Sequence, residues 1–194
     1  MGAMRPRITV VCARELPCPR EDAVVAIRNI KNIERTEVKA DAVVVSPDTP
    51  TRGTYRVRGR FAGVPWRGHF AYVLHDAGFH SRTAGVPPEQ ATIEGGFVVT
   101  PLASGCTVIH YEQYVLAAWL RPLRHAIRLY LRWSMARELR DLERLIVADR
   151  GAAGTDAQQQ RAADSGAESQ HKVSVSGSTV VSSPSGISAS ASTV

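Results

Sequence analysis

Two ionisable residues, His110 and Glu112, lie two positions apart in a strand-like segment, residues 106–116. Side chains two apart on a strand point to the same face, so these groups can share a proton or a substrate hydroxyl. A histidine and a carboxylate in an apolar pocket are suited to general acid and base catalysis. A register shift of one residue would instead place both in solvent. The pair is the candidate catalytic site, on the condition that this strand face is buried.

Short alternating segments predict the strands that would carry this pair. In residues 52–61, Tyr55, Val57 and Phe61 point to one face and the arginines to the other, which is the period of a strand. Two short helices are predicted between the first and second strands, the second within residues 29–37. The predicted strands are residues 8–16, 38–46, 52–61, 65–74, 78–84, 93–102 and 106–116.

A long amphipathic helix is predicted after the strands, from about residue 122 to 149. Its apolar residues recur at three- and four-residue spacing and form one stripe. They are Leu123, Ile127, Leu131, Met135, Leu139, Leu142 and Ile146. An α+β fold follows, in which about seven antiparallel strands curve around this helix and leave a cavity wherever the helix does not fill the concave face.

Composition limits the classes of protein that the chain can belong to. The chain has 194 residues, 44% hydrophobic and 22% charged, with a formal net charge of +6 that comes mainly from arginine. Cys12, Cys18 and Cys106 are scattered and have no metal-binding spacing, which favours a reducing, cytoplasmic location. No segment has the pattern of a secretory signal or a membrane span.

The same survey predicts neither a cofactor nor a metal ion. The six histidines show no HxxxH or HExxH spacing, and no phosphate-binding glycine loop or nucleophile elbow occurs. Residues 7–149 are predicted to form one ligand-binding domain. Residues 150–194 are rich in Ser, Ala and Gly and poor in large apolar side chains, so they are predicted to be a disordered tail.

Two adjacent segments carry a resemblance to a known family. Residues 95–101 read GGFVVTP and residues 104–111 read SGCTVIHY, and the long helix follows them. This order resembles the START-related helix-grip (SRPBCC) superfamily, which includes polyketide cyclase/dehydratase-like and lipid-transfer proteins. The resemblance covers about residues 7 to 148. The sequence departs from the family at Cys106 and His110, where Thr and Tyr are common.

The resemblance implies a cavity for a hydrophobic or amphipathic molecule between the sheet and the helix. In the family register, Val108, His110, Glu112 and Tyr114 face that cavity. An aromatic-rich sheet face and hydroxyls on the helix stripe complete the predicted wall. The predicted ligand-binding residues are Tyr55, Val57, Trp66, Phe70, Tyr72, Phe97, Val99, Val108, Tyr114, Ile127, Tyr130, Leu131 and Ser134.

A row of arginines near the start of the long helix is the second candidate surface. Arg121, Arg124, Arg128 and Arg132 are spaced to share one side, and Trp119 precedes them. They would suit transient contact with an anionic membrane, although a solvated face has the same pattern. Nucleic acid is an unlikely partner because no recognition motif accompanies the basic residues. The oligomeric state stays open.

Three functions remain open at this point. The first is binding or transport of a hydrophobic or amphipathic small molecule such as a lipid, isoprenoid or polyketide. The second is a cyclase or dehydratase reaction that uses His110 and Glu112. The third is a basic module that binds membranes or nucleic acid through its arginines.

Overall fold

The computed structural model describes residues 7–87 and 90–171, with side chains described up to Gly151. The chain divides into a unit that ends at Gly151 and a second unit of residues 152–194. The core clusters of the described residues belong to the first unit. Part of the predicted tail, residues 172–194, lies outside the described residues, and the domain boundary near residue 149 stays a prediction.

Seven antiparallel strands form one curved sheet, as the alternating segments predict. Along the sheet the order is β1-β7-β6-β5-β4-β3-β2, so the first and last strands of the chain are neighbours. The bounds are β1 Arg7–Leu16, β2 Ala42–Thr49, β3 Arg52–Phe61, β4 Val64–His75, β5 Gly78–Thr83, β6 Ile93–Leu102 and β7 Gly105–Val115.

Short helices connect β1 to β2, and a long helix follows β7. The connection holds α1 (Arg20–Arg28), a 3-10 helix (Ile30–Asn32) and α2 (Ile33–Thr36). After β7 come a 3-10 helix (Ala118–Leu123) and α3 (Arg124–His171). The α-helix begins two residues after the predicted start because Pro122, which has no N–H to donate, lies in the 3-10 turn. It also extends beyond the predicted end near residue 149.

The buried side of α3 largely matches the predicted stripe. Leu131, Met135, Leu139, Leu142 and Ile146 are buried in the core. Leu123 is exposed, contrary to the prediction, because it lies in the 3-10 helix before α3 begins. Two polar residues, Ser134 and Glu138, are buried on the same side of the helix. This side of α3 is therefore apolar except at these two polar residues in its middle.

The faces of β7 follow the predicted register. Cys106, Val108, His110 and Glu112 are buried, and the residues between them are only half-buried. The α+β helix-grip architecture predicted from the sequence is thus confirmed.

Candidate functional site

A cavity lies against the inner face of the sheet and has a volume of about 80 Å³. It is much smaller than the roughly 300–1,000 Å³ of typical drug-sized ligand pockets. Its apolar wall is formed by Ile33, Tyr55, Val57, Phe61, Trp66, Phe70, Phe79, Ile93 and Phe97. Its polar wall is formed by Thr36, Glu37, Lys39, Ser81, Glu94, His110, Glu112, Tyr114 and Glu138. The space in this conformation suits a compact group rather than a long chain.

Lys39 lies at the centre of the polar wall and is only 1% exposed. Its ammonium donates to both carboxylate oxygens of Glu112, at 2.9 and 3.0 Å. Oxygens of Glu138 and Glu37 lie 3.3 and 3.4 Å from the same Nζ. Burial alone would lower the pKa of Lys39, but the surrounding carboxylates outweigh it and raise that pKa well above its usual value. Lys39 is therefore a permanent buried cation.

The backbone around Lys39 explains how a lysine comes to be buried. Residues 38–39 form a turn before β2, in which the Ala40 N–H donates to the Glu37 carbonyl at 3.0 Å. The Lys39 carbonyl packs directly on Gly59, where any side chain would clash with it. The same carbonyl accepts a hydrogen bond from Trp66 Nε1 at 2.8 Å. The predicted strand from residue 38 is wrong in its first residues because this turn precedes Ala42.

Glu112 is the main counter-ion of Lys39 and is also buried. The Tyr114 hydroxyl donates to its Oε2 at 3.0 Å. Burial favours the neutral carboxyl, but the Lys39 charge, helped by His110 and these hydrogen bonds, outweighs burial and lowers the pKa of Glu112. Burial and the Glu112 charge raise the pKa of Tyr114 well above normal. Glu112 is thus an anion and Tyr114 a neutral donor.

His110 stacks on the Phe97 ring, with the ring centroids 4.0 Å apart. Its Nδ1 lies 3.3 Å from Glu138 Oε2, and its Nε2 lies 3.8 Å from Glu112 Oε1. Nδ1 is buried and has no hydrogen-bond partner. Burial lowers the pKa of His110, and the two carboxylates offset this only in part. At neutral pH the imidazole is a neutral base.

Glu138 brings α3 into the cluster and is 2% exposed. The Ser134 hydroxyl, one turn earlier on the helix, donates to Glu138 Oε1 at 2.7 Å. Glu138 was not identified as a site residue from the sequence. The sequence did indicate that Glu138 is buried, because it lies seven residues after Leu131 and four before Leu142, on the apolar stripe of the helix.

Glu37 completes the cluster at the end of the short helices. Burial raises the pKa of this carboxyl to about 8, although the Lys39 charge lowers it. It is therefore largely protonated at pH 7. Sequence reasoning also missed Glu37 and Lys39, because a turn residue has no periodic pattern that would reveal its burial.

Three side chains of the cluster have the spacing of a metal site. Ligand atoms of His110, Glu112 and Glu138 lie within 4.8 Å of one another. The Lys39 ammonium already contacts both carboxylates and offsets one of their two charges, so a divalent metal ion among them would meet a like charge at close range with only one net negative charge to balance it. The arrangement fits an ion-paired acid–base site better than a metal centre.

The predicted ligand-binding residues fall into two groups. Tyr55, Val57, Trp66, Phe70, Phe97 and Tyr114 line the cavity, together with His110 and Glu112. Others lie in the surrounding core: Tyr72, Val99, Val108, Leu131 and Ser134 are buried, and Ile127 is half-buried. Tyr130 is half-buried and packs edge-on against Phe61, at 4.9 Å.

The predicted membrane-facing residues are exposed. They are Trp119, Arg121, Arg124, Arg128 and Arg132. Leu129 and Trp133, which sequence reasoning did not assign to this surface, are also exposed on α3, at 68% and 48%. No helix of the described residues is long and apolar enough to cross a bilayer.

Comparisons with solved structures support the fold. TTHA0849 from Thermus thermophilus superposes with a TM-score of 0.64 and 17% identity, over 73% of this chain and 99% of that one. The di-domain aromatase/cyclase StfQ of the steffimycin pathway gives 0.63 and 12%, over 75% of this chain and 52% of that one. A STAR-related lipid transfer protein from Xanthomonas axonopodis gives 0.54 and 13%, over 71% and 85%.

No protein-family model matches the chain, and no curated protein sequence matches it. At these identities the structural likeness shows the fold alone. The resemblance to the START-related helix-grip superfamily is confirmed at that level, since aromatase/cyclases and a lipid transfer protein share the architecture.

Proposed function

We propose that the protein binds an amphipathic small molecule in the cavity between the sheet and α3. The polar end of the molecule lies at the cluster of Lys39, His110, Glu112 and Glu138, and its apolar body lies against the aromatic wall. The observation that carries this proposal is the placement of a buried charged cluster beside a cavity whose remaining wall is aromatic.

The energetics of the cluster favour a function over a structural role. Desolvating an ion pair costs several kcal/mol per ion, and apolar replacements of buried ion pairs are often neutral or stabilising. A cluster of Lys39 with Glu112 and Glu138 is thus an inefficient way to stabilise a core. It is useful where a bound molecule needs fixed polar partners inside an apolar pocket.

Native mass spectrometry of the purified chain tests this proposal. A molecule retained from the expression host should appear as a discrete added mass, and it should be lost in the Trp66→Ala variant. Arg58→Ala, on the opposite face of the sheet, is the control and should keep the added mass. Added mass retained by both variants would indicate adsorption outside the cavity.

An enzyme of the cyclase or dehydratase type is the second candidate. The observation that favours it is the neutral, unpartnered Nδ1 of His110, which lines the cavity and can accept a proton from a substrate carbon or hydroxyl. Aromatase/cyclases with the same fold lend this candidate support.

We also propose transient docking of this protein on an anionic membrane. Exposed Trp119, Leu129 and Trp133 lie close in sequence to the exposed arginines of the 3-10 helix and α3, a composition typical of interfacial helices. A cytoplasmic location is consistent with the three cysteines, which are free.

A further inference from the structure

We infer that the cavity selects molecules whose polar end is a protonated amine or another hydrogen-bond donor and rejects carboxylates. This inference rests on the proposed binding function and specifies the chemical class of the ligand. It follows from a census of the donors and acceptors on the wall.

The ammonium, hydroxyl and indole donors on the described cavity wall already face acceptors of the protein. The three hydrogens of Lys39 face oxygens of Glu112, Glu138 and Glu37. The hydroxyl and indole donors make these bonds: Thr36 to the Asn32 carbonyl, Tyr55 to Ser81, Ser81 to the Gly95 carbonyl, Tyr114 to Glu112, and Trp66 to the Lys39 carbonyl. An incoming carboxylate would therefore find no free donor among these groups. The remaining side-chain donors are the protonated carboxyl of Glu37 and the single N–H of His110, and the negative charges of Glu112 and Glu138 act on both.

The cavity wall also has hydrogen-bond acceptors, and unlike the donors above, one of them has no partner. His110 Nδ1 is unpartnered, the side chain is only 5% exposed, and it faces Glu138 Oε2 at 3.3 Å. The other ring nitrogen faces Glu112 at 3.8 Å. A neutral imidazole carries one N–H, so in either tautomer the other ring nitrogen is a hydrogen-bond acceptor. That nitrogen then faces a carboxylate oxygen, which is also an acceptor. A hydrogen-bond donor on the ligand would satisfy both the imidazole nitrogen and the carboxylate oxygen that it faces.

The net charge of the cavity wall also favours a cationic ligand. The carboxylates of Glu112 and Glu138 outnumber the single ammonium of Lys39, and Glu94 adds a third acidic group to the wall. Opposite charges on the ligand and the wall raise specificity, because like charges brought together repel each other strongly. This net negative environment attracts an ammonium and repels an anion.

The aromatic wall also suits a cation. Phe70 packs against Tyr55, with ring centroids 5.2 Å apart, and against Trp66, at 6.3 Å. The faces of such rings attract ammonium groups that lie within about 6 Å of the centroid. Together with the small volume, these features fit a primary or secondary amine on a compact aromatic body.

Three ligands of one shape but different charge test the inference: benzylamine, benzyl alcohol and benzoate. Each is titrated at pH 7 into the full chain labelled with ¹⁵N, and the amide shifts of β6 and β7 report binding at the cavity. Benzylamine should bind at least about tenfold more tightly than benzoate, with benzyl alcohol between them. Benzoate binding as tightly as benzylamine would overturn the inference while leaving the binding function intact. If none of the three shifts these amides, the proposed function itself fails.

A substitution on α3 identifies the group responsible. Glu138→Gln keeps the shape and the Ser134 hydrogen-bond acceptor but removes one charge, and it should reduce the preference for benzylamine over benzoate by about tenfold. Glu143→Gln is the matched control, because Glu143 pairs with Arg14 outside the cavity. An unchanged preference in Glu138→Gln would overturn the role of this carboxylate in selecting cations.

Discussion

Glu138 Oε2 on α3 and His110 Nδ1 on β7 lie 3.3 Å apart, and Nδ1 has no hydrogen-bond partner. This relationship links the long helix to the sheet through two groups that do not satisfy each other. Replacing buried charged groups by apolar side chains of similar volume is often neutral or stabilising, so stability alone does not explain this pair. The proposed binding mode places the polar end of the ligand at this unsatisfied pair.

Loss of the buried ammonium should be the most destabilising change in the cluster. Lys39→Met leaves Glu112 and Glu138 buried without their cation and should lower the free energy of unfolding by about 3–5 kcal/mol at pH 7. Lys31→Met is the matched control and should cost much less, because Lys31 donates only one hydrogen bond, to the Val43 carbonyl. Urea unfolding followed by circular dichroism measures both. Equal losses would show that the Lys39 cluster is not desolvated.

The protonation of Glu37 should make stability depend on pH. Its pKa rises from 4.5 to about 8 on folding, so its contribution is complete below pH 4.5 and is lost as pH rises towards 8. Between pH 7 and 8 the free energy of unfolding should fall by up to about 1.4 kcal/mol per pH unit. In this window Lys39 stays charged, and His110, whose pKa is lowered, stays neutral in the folded protein.

Substitution of Glu37 isolates this contribution. Glu37→Gln cannot ionise, so its unfolding free energy should be nearly flat between pH 7 and 8. Glu34→Gln, an exposed position on α2, should keep the wild-type slope. A slope that persists in Glu37→Gln would assign the pH dependence to another group.

The aromatic wall should control binding of an apolar probe. A dye whose fluorescence rises in apolar surroundings should bind the wild-type chain, and Trp66→Ala or Phe97→Ala should change that binding. The reason is that both rings line the cavity, whereas Arg58 lies on the exposed face of β3. Fluorescence titration measures the three variants beside the wild type. Equal effects of Trp66→Ala, Phe97→Ala and Arg58→Ala would indicate adsorption to the surface.

Substitution of His110 should distinguish binding from catalysis. In a binding protein, His110→Ala removes about one hydrogen bond and should weaken affinity by about 0.5–1.5 kcal/mol. In an enzyme it removes the base and should lower turnover by ~10²–10⁴-fold with affinity nearly intact. His69→Ala is the control because this histidine is exposed on β4. Calorimetry measures the ligand affinity and single-turnover kinetics measure the turnover, so together they distinguish the two cases. If His110→Ala changes neither quantity, His110 is not part of the site.

The sheet and the buried side of α3 were predictable because each follows one period. The two-residue period of β3 and β7 and the four- and three-residue spacing of Met135, Leu139 and Leu142 each require one buried face. The shared face of His110 and Glu112 follows from the same rule. These features depend on spacing alone, so no knowledge of distant contacts was needed.

The charged cluster was not predictable in the same way. Lys39 is buried by a turn that packs on Gly59, a contact between residues 20 positions apart with no local pattern. The cavity volume of about 80 Å³ depends on how side chains such as Trp66 and Phe70 pack, and small displacements would change it. Glu138 was the exception, since its position on the apolar stripe of α3 was readable from the sequence.

The arginines near the start of α3 should mediate binding to anionic membranes. Arg121→Glu with Arg124→Glu should weaken binding to phosphatidylserine vesicles by about 1 kcal/mol or more for each residue changed, because these positions would approach the lipid surface. The matched control, Arg58→Glu with Arg60→Glu, makes the same change in net charge on the exposed face of β3. Vesicle sedimentation at low and high salt measures the binding, which should weaken as salt screens the charges. Binding to neutral vesicles as strong as to anionic ones, or equal losses in the two double variants, would exclude docking through this surface.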